Sequence, residues 1–256
     1  MTSPVQSVAE ALSAARRQHR PADATPLEAL LREPEDAYAV QEQVGRALGW
    51  FDQPVPRYWK SGGPSRTAPM THAPLPPQHV WASPADARGT PFNLRLIEAE
   101  VAVRLARDVT PADAQAMNPD ATAPWLDGMT VSIEIVDSRW QQARTAGALL
   151  KLADQQSHGA LVLGTWTAFA PRDWAQQACT VQIGAAAAPQ SFRGTHSLGD
   201  PAWLLPTWLR HVTRHGATVP RGTIVTTGTW CGLLEAKAGD KVRAVFEGIG
   251  EAEVQL

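Results

Sequence analysis

Cysteine and tyrosine are scarce in this 256-residue chain, with two of each, and neither sign of charge is in surplus. Cys179 and Cys231 lie far apart without C-x-x-C spacing, which excludes a disulfide framework and a thiolate metal site. Both read as small buried hydrophobes. The formal charge is only -2, so the basic excess that holds phosphate backbones is missing and nucleic acid is not an expected partner. No segment approaches the roughly 18 uninterrupted apolar residues of a membrane span. No apolar run of signal-peptide length precedes Arg16, Arg17 and Arg20. No membrane partner is expected, and the expected location is cytoplasmic.

What the chain does have is core material: 44% hydrophobic residues and ten Trp suit one large domain, or a small N-terminal unit fused to a larger one. In EPEDAYAVQEQVGRALGW, Pro34 suits a first helical turn, Tyr38, Val40, Val44, Ala47 and Leu48 trace an apolar stripe, and Gly49 is placed to stop the helix. Residues 51–95 are rich in Pro and Gly with little periodicity, and read as an active-site loop region. Beyond residue 95 the period changes to two. Strands are expected at Leu94–Leu105, Met129–Val136, Ala160–Thr167, Val181–Ala185, Thr223–Thr227, Lys241–Phe246 and Ala252–Leu256. Helices are expected from Thr110 and Pro111, around Arg172–Gln177, and from the cap Asp200 to Gly216, the last delayed or kinked by Pro206.

Two of these strands carry awkward carboxylates. In LIEAEVAVRL, Ile97, Ala99, Val101, Val103 and Leu105 share one parity while Glu98 and Glu100 lie on the other, about 7 Å apart along the strand. In TVSIEIVDSRW, Glu134 stands opposite in parity to Val131, Ile133 and Ile135. Three such glutamates suit an all-oxygen site for a hard divalent cation. Two unrelated solvated faces fit the spacing equally well. Lysine occurs only at 60, 151, 237 and 241, so Lys60 in YWKSGG stands out, because lysine can lose a proton on desolvation and arginine cannot.

Taken in order, Trp59-Lys60-Ser61-Gly62, IEAEVAVRL, SIEIVDSR, KLADQQSHGALVLG, GTIVTTG and AGDKVRAVFEGIGEAEVQL resemble the 2-keto-4-pentenoate hydratase and 4-oxalocrotonate decarboxylase branch of the fumarylacetoacetate hydrolase superfamily. The resemblance implies an α+β protein: a mixed β-roll or sandwich core of the fumarylacetoacetate hydrolase type, residues 76–256, behind a helical N-terminal region and active-site loop, residues 1–75. It implies a homo-oligomer that uses Mg²⁺ or Mn²⁺ held by Glu98, Glu100 and Glu134. Lys60 would transfer protons, Ser157 would contact substrate or the attacking water, and Gly62, Thr227 and Gly228 would line the pocket. The implied reaction is hydration of a 2-hydroxy-2,4-dienoate to a 4-hydroxy-2-oxo acid in aromatic-compound catabolism. The alternatives are decarboxylation of a 2-oxo-3-enedioate, hydrolysis of an acylpyruvate, and a catalytically altered or non-catalytic member. Where the hydratases carry an acidic residue before the E-x-E strand, this chain has Gln78 and His79, which makes His79 a candidate base. Further departures are Gln155 for Asn, the bulkier His158, Asp200 for His, and Pro64.

Overall fold

The structure is a computed structural model that describes residues 2–256. Its helices are α1 (Pro4–Gln18), α2 (Pro34–Ala47), α3 (Pro111–Ala116), α4 (Ala148–Ala153) and α5 (Leu205–Thr213). Its strands are β1 (Tyr58–Gly62), β2 (Thr71–Pro74), β3 (Val80–Ala82), β4 (Ala85–Asp86), β5 (Leu96–Leu105), β6 (Leu126–Val136), β7 (His158–Leu163), β8 (Thr167–Ala168), β9 (Ala178–Ile183), β10 (Gln190–Arg193), β11 (Ile224–Thr226), β12 (Leu234–Glu235), β13 (Lys241–Phe246) and β14 (Gly250–Gln255).

Alternation in β5 and β6 sets one face of each toward the core, and their antiparallel pairing runs from Leu96 against Val136 to Leu105 against Leu126. Around this pair the larger, nine-stranded sheet is ordered β2-β1-β11-β5-β6-β7-β3, with β12 beside β5 and β8 beside β6. The smaller sheet is ordered β10-β9-β13-β14-β4. Ile97, Val101, Ile133 and Ile135 of the first sheet share one apolar core with Val181, Val242, Phe246 and Val254 of the second. Fully burying each such side chain contributes roughly 1.5–3 kcal/mol. This is the mixed β-rich core with helical N-terminal elements that the resemblance implies.

The helical part has its own core. Val8 and Leu12 of α1, Val40 and Val44 of α2, and Leu150 of α4 enclose Trp50 and Trp140. The Ser3 hydroxyl caps α1 by accepting from the Gln6 amide. At the other end of the chain, Asp200 accepts from the Ala202 amide, a short 3₁₀ turn follows, and Pro206 enters only in the first turn of α5, the delay expected of it.

The stretch read as loop holds strands. Residues 58–62 and 71–74 escape local pattern reading because their pairing is non-local: β1 runs parallel to β11, and β2 returns antiparallel to β1. Pro74 is tolerated because β2 is an edge strand, which need not donate outward. The helix expected near Arg172–Gln177 is only a 3₁₀ turn at Trp174–Gln176. The strand expected at Ala160–Thr167 is split into β7 and β8 around Gly164, where a Cβ would meet the Glu251 carbonyl oxygen. No helix among the described residues is long and apolar enough to cross a membrane.

Candidate active site

The register of β5 and β6 decides the fate of the glutamates. Glu98 lies directly across from Glu134 and Glu100 across from Ser132, so all three carboxylates share one face. Each offers an oxygen within 4.8 Å of the others. Like charges facing each other across a ladder are destabilising, yet this face is no solvated surface: Glu100 and Glu134 are buried.

Glu134 is held by one oxygen. Its Oε1 accepts from Lys60 Nζ at 2.6 Å and from His158 Nδ1 at 3.0 Å, while its buried Oε2 has no partner. Glu100 accepts from the Thr226 hydroxyl, and Thr226 Oγ1 in turn lies 2.8 Å from Ser132 Oγ. These contacts orient the carboxylates and leave oxygens over for a cation, which is the usual arrangement behind metal ligands.

Electrostatics point the same way. Burial pushes the Glu98 carboxyl up to about 8; Lys60 opposes this, and repulsion from Glu100 and Glu134 adds to it. Burial and Glu134 push Glu100 up to about 7, against Lys60, the Thr226 hydroxyl and the nearby Gly228 backbone amide. Burial also raises Glu134, with Lys60 opposing. For Lys60, burial alone would lower the ammonium, but Glu134, Glu98 and Glu100 together outweigh it and hold it above its ordinary value. His158 is kept neutral, well below its ordinary value, by burial first and then by Lys60. One ammonium faces three carboxylates. A divalent cation is what such a set lacks, and an all-oxygen donor set with one buried, bare oxygen fits it.

A cavity of about 880 Å³ opens over this cluster, bordered by Lys60, Gly62, Glu98, Glu100, Ser157 and Gly228 among the expected residues. Glu134 does not border the cavity itself and lies behind Lys60, whose ammonium it holds. Ser157 reaches it from an unusual turn: Gln155, Gln156 and Ser157 have φ of 47°, 53° and 59°, the left-handed region that non-glycine residues rarely occupy. Lys60 Nζ donates to the Gln156 carbonyl at 3.3 Å, and the Gln156 amide donates to Thr71.

Two expected residues lie elsewhere. Thr227 is buried with its hydroxyl donating to the Val101 carbonyl at 2.6 Å, so it is Thr226, one residue earlier and of opposite parity, that meets the cavity. His79 borders a different pocket, with Arg16, Arg139 and Trp50, and the cavity beside Lys60 is lined without it. Burial, then Arg16 and Arg139, lower its pKa to about 4. Spacing gave no warning of Thr226, of Gln156, or of the contact between His158 and Glu134. Each depends on a neighbouring strand or turn brought in from a distant part of the chain.

A two-sheet β fold that brings three carboxylates, two of them buried, together with a lysine under a cavity defines a metal-dependent enzyme site. The chain belongs to the fumarylacetoacetate hydrolase family: the family described as fumarylacetoacetate (FAA) hydrolase C-terminal matches residues 39–256. No curated protein matches significantly. Among solved structures the fold is similar to 4-oxalocrotonate decarboxylase from Pseudomonas putida G7, complexed with magnesium and adipate, at 17% identity and a TM-score of 0.80, covering 98% of this chain and 96% of that one. It is also similar to 5-carboxymethyl-2-hydroxymuconate delta-isomerase from Mycobacterium smegmatis, at 17% identity and a TM-score of 0.56 over 78% of each chain.

Proposed function

We propose that the protein is a divalent-metal-dependent hydratase that adds water to a 2-hydroxy-2,4-dienoate to give a 4-hydroxy-2-oxo acid, in the breakdown of aromatic compounds. The observation that carries this reading is Lys60, held on one oxygen of Glu134 while the other oxygen of Glu134, with Glu98 and Glu100, is left for Mg²⁺ or Mn²⁺. Bound there, the ion would supply a Lewis acid that draws electron density from a 2-oxygenated acid.

The chain's own groups do the rest. Lys60, protonated beside the carboxylates, gives a proton to the terminal carbon of the dienol as its 2-hydroxyl becomes a ketone. With the carboxylates neutralised, Lys60 loses the attraction that holds its pKa up, and its burial lowers it toward the working range. The resulting amine takes a proton from water as hydroxide adds at C4; the 2-hydroxyl proton leaves to solvent in the first step and one returns from solvent to C3 in the second, so the sum is one water added. One lysine thus serves as acid and then as base, without a second group in the place where His79 was expected. Ser157 and the Gln156 carbonyl border the same space and can hold that water. The reading includes a homo-oligomer, which light scattering checks.

Replacing Ser157 by Gly tests the turn. Glycine removes the left-handed penalty of about 1 kcal/mol at φ 59° but returns part of it as unfolded-chain entropy. Stability should therefore hold within about 1 kcal/mol. Turnover should fall roughly 10- to 100-fold through the lost hydroxyl. Denaturant melts and steady-state rates on the same preparation measure both.

A second reading, decarboxylation of a 2-oxo-3-enedioate, is favoured by Arg144 and Lys151, which border the cavity and suit a second carboxylate. The deciding experiment is a paired assay with metal present: loss of ultraviolet absorbance of 2-hydroxypenta-2,4-dienoate reports hydration, and CO₂ release from 2-oxohex-3-enedioate reports decarboxylation. If neither substrate turns over, both readings fail. Under the second reading Lys151→Ala raises KM for the dicarboxylate by roughly tenfold with little change in kcat.

A further inference from the structure

We propose that the crevice between α1 and the edge of the β-rich body is a second binding site, for a small anion carrying a carboxylate or phosphate group. Its volume is about 290 Å³, and its cationic border is formed by Arg16, Arg17 and Arg139, with the His19 and neutral His79 rings beside them. The carboxylate in its wall, Asp137, is already occupied, accepting from the Leu94 and Ser138 amides and from Arg139.

Unmet hydrogen-bonding capacity converges here. The Arg16 side chain is only 10% exposed; its Nη2 donates to Asp154 at 3.0 Å and to Gln155 Oε1 at 2.8 Å, while its Nε has no partner. His79 Nδ1, on the crevice wall, is unpartnered too, and behind Arg16, outside the crevice lining, so is the side-chain amide nitrogen of the buried Gln155. The bare Arg16 Nε on the crevice border is an obligate donor, so the missing group is an acceptor.

The charge count agrees. Asp154 is shared between Arg16 and Arg139 and Asp137 pairs with Arg139, while the Arg17 guanidinium, which donates to the Ala47 carbonyl at 2.6 Å, borders the crevice with no carboxylate partner. The Arg16 guanidinium is pulled down to about 9, by burial first and then by Arg139. Trp50, whose ring lies 4.8 Å from the Arg16 guanidinium carbon, and Phe92 add an apolar wall. That wall suits an organic carboxylate, while the guanidiniums alone suit inorganic phosphate.

Occupancy would also be felt at the active site. Arg16 holds Gln155, the first of the three left-handed residues, whose second member offers its carbonyl to Lys60 and whose third is Ser157. This coupling rests on the roles proposed above for Lys60 and Ser157; the binding does not.

The test is calorimetric titration of metal-free protein with inorganic phosphate and, separately, with benzoate. Anion binding in the main cavity, where Arg144 and Lys151 suit a carboxylate, is told apart by Lys151→Ala, which weakens binding there and leaves binding at the crevice unchanged. One-to-one binding of either probe is expected, weakened about tenfold or more by Arg16→Gln and by Arg17→Ala and kept in Glu100→Gln. Phosphate alone identifies an inorganic or phosphorylated ligand, and benzoate alone identifies an organic carboxylate. Should Arg16→Gln misfold, the exposed Arg17→Ala carries the decision. Absence of saturable binding by both probes, binding indifferent to Arg17→Ala, or binding lost in Glu100→Gln overturns the site. Hydrogen exchange at residues 154–158 reads the coupling: slowing on binding supports it, and unchanged exchange rejects the coupling while leaving the site.

Discussion

In Glu100→Gln, binding of Mg²⁺ or Mn²⁺ is expected to be lost and turnover to fall by on the order of 100-fold or more, while the metal-free protein becomes more stable than the parent. The two effects have opposite signs because the cluster is built for a cation at the expense of the empty fold. Glu98 faces Glu134 across the ladder and Glu100 lies two residues along, so without metal Lys60, helped at Glu134 by Arg139, offsets one half-buried and two buried carboxylates. Burial raises Glu98 to about 8 and Glu100 to about 7 from the ordinary 4.5. Between those limits the folded protein holds protons on Glu98 and Glu100 that the unfolded chain has released, so their contribution to metal-free stability falls as pH rises from about 4.5 to 8. The buried and half-buried histidines, all lowered, act in the opposite sense below about 6.5, so the fall is read between about 6.5 and 8. Removing one carboxylate flattens that slope and should add on the order of 2 kcal/mol at neutral pH. For a chain of this size that is roughly 4 to 8 °C in Tm. Melting curves at several pH values, with and without Mg²⁺, measure it, and a metal-free Glu100→Gln that melts earlier than the parent would show the cluster to be structural.

Lys60→Ala should cost turnover roughly 10²- to 10⁴-fold, the usual scale for a proton-transfer group, and yet leave metal binding intact or tighter. Its ammonium competes for Glu134 Oε1 at 2.6 Å, so its removal leaves the cation site more negative. The metal-free variant is then the least stable of the set, because three carboxylates lose their only close ammonium, and added Mg²⁺ should recover more stability than in the parent. Calorimetric titration with Mg²⁺ alongside single-turnover rates separates the two effects. A variant that loses metal and turnover together would mean that Lys60 organises the carboxylates rather than moving protons.

The alternation of LIEAEVAVRL and TVSIEIVDSRW already showed which residues face the core, and period two is a local property that survives without any partner strand. The same local logic found the α2 stripe, the Asp200 cap and the delay at Pro206. It failed at β1 and β2, whose hydrogen bonds go to strands more than a hundred residues away or to an edge that tolerates Pro74. It failed again at Thr226 and Thr227, where β11 is three residues long and a shift of one reverses the side that meets the cavity.

By itself, the sequence determined that two apolar strands carry three glutamates on their polar parity, that Lys60 stands out among few lysines, and that the segments occur in the order of one enzyme family. Only the tertiary structure decided that the two strands are neighbours in a register that sets Glu98 against Glu134, that His158 and Lys60 share one oxygen of Glu134 and leave the other bare, and that His79 belongs with Arg16 and Arg139 instead. Parity is dictated by the backbone of each strand alone. Register, burial and charge balance depend on what the rest of the chain brings alongside.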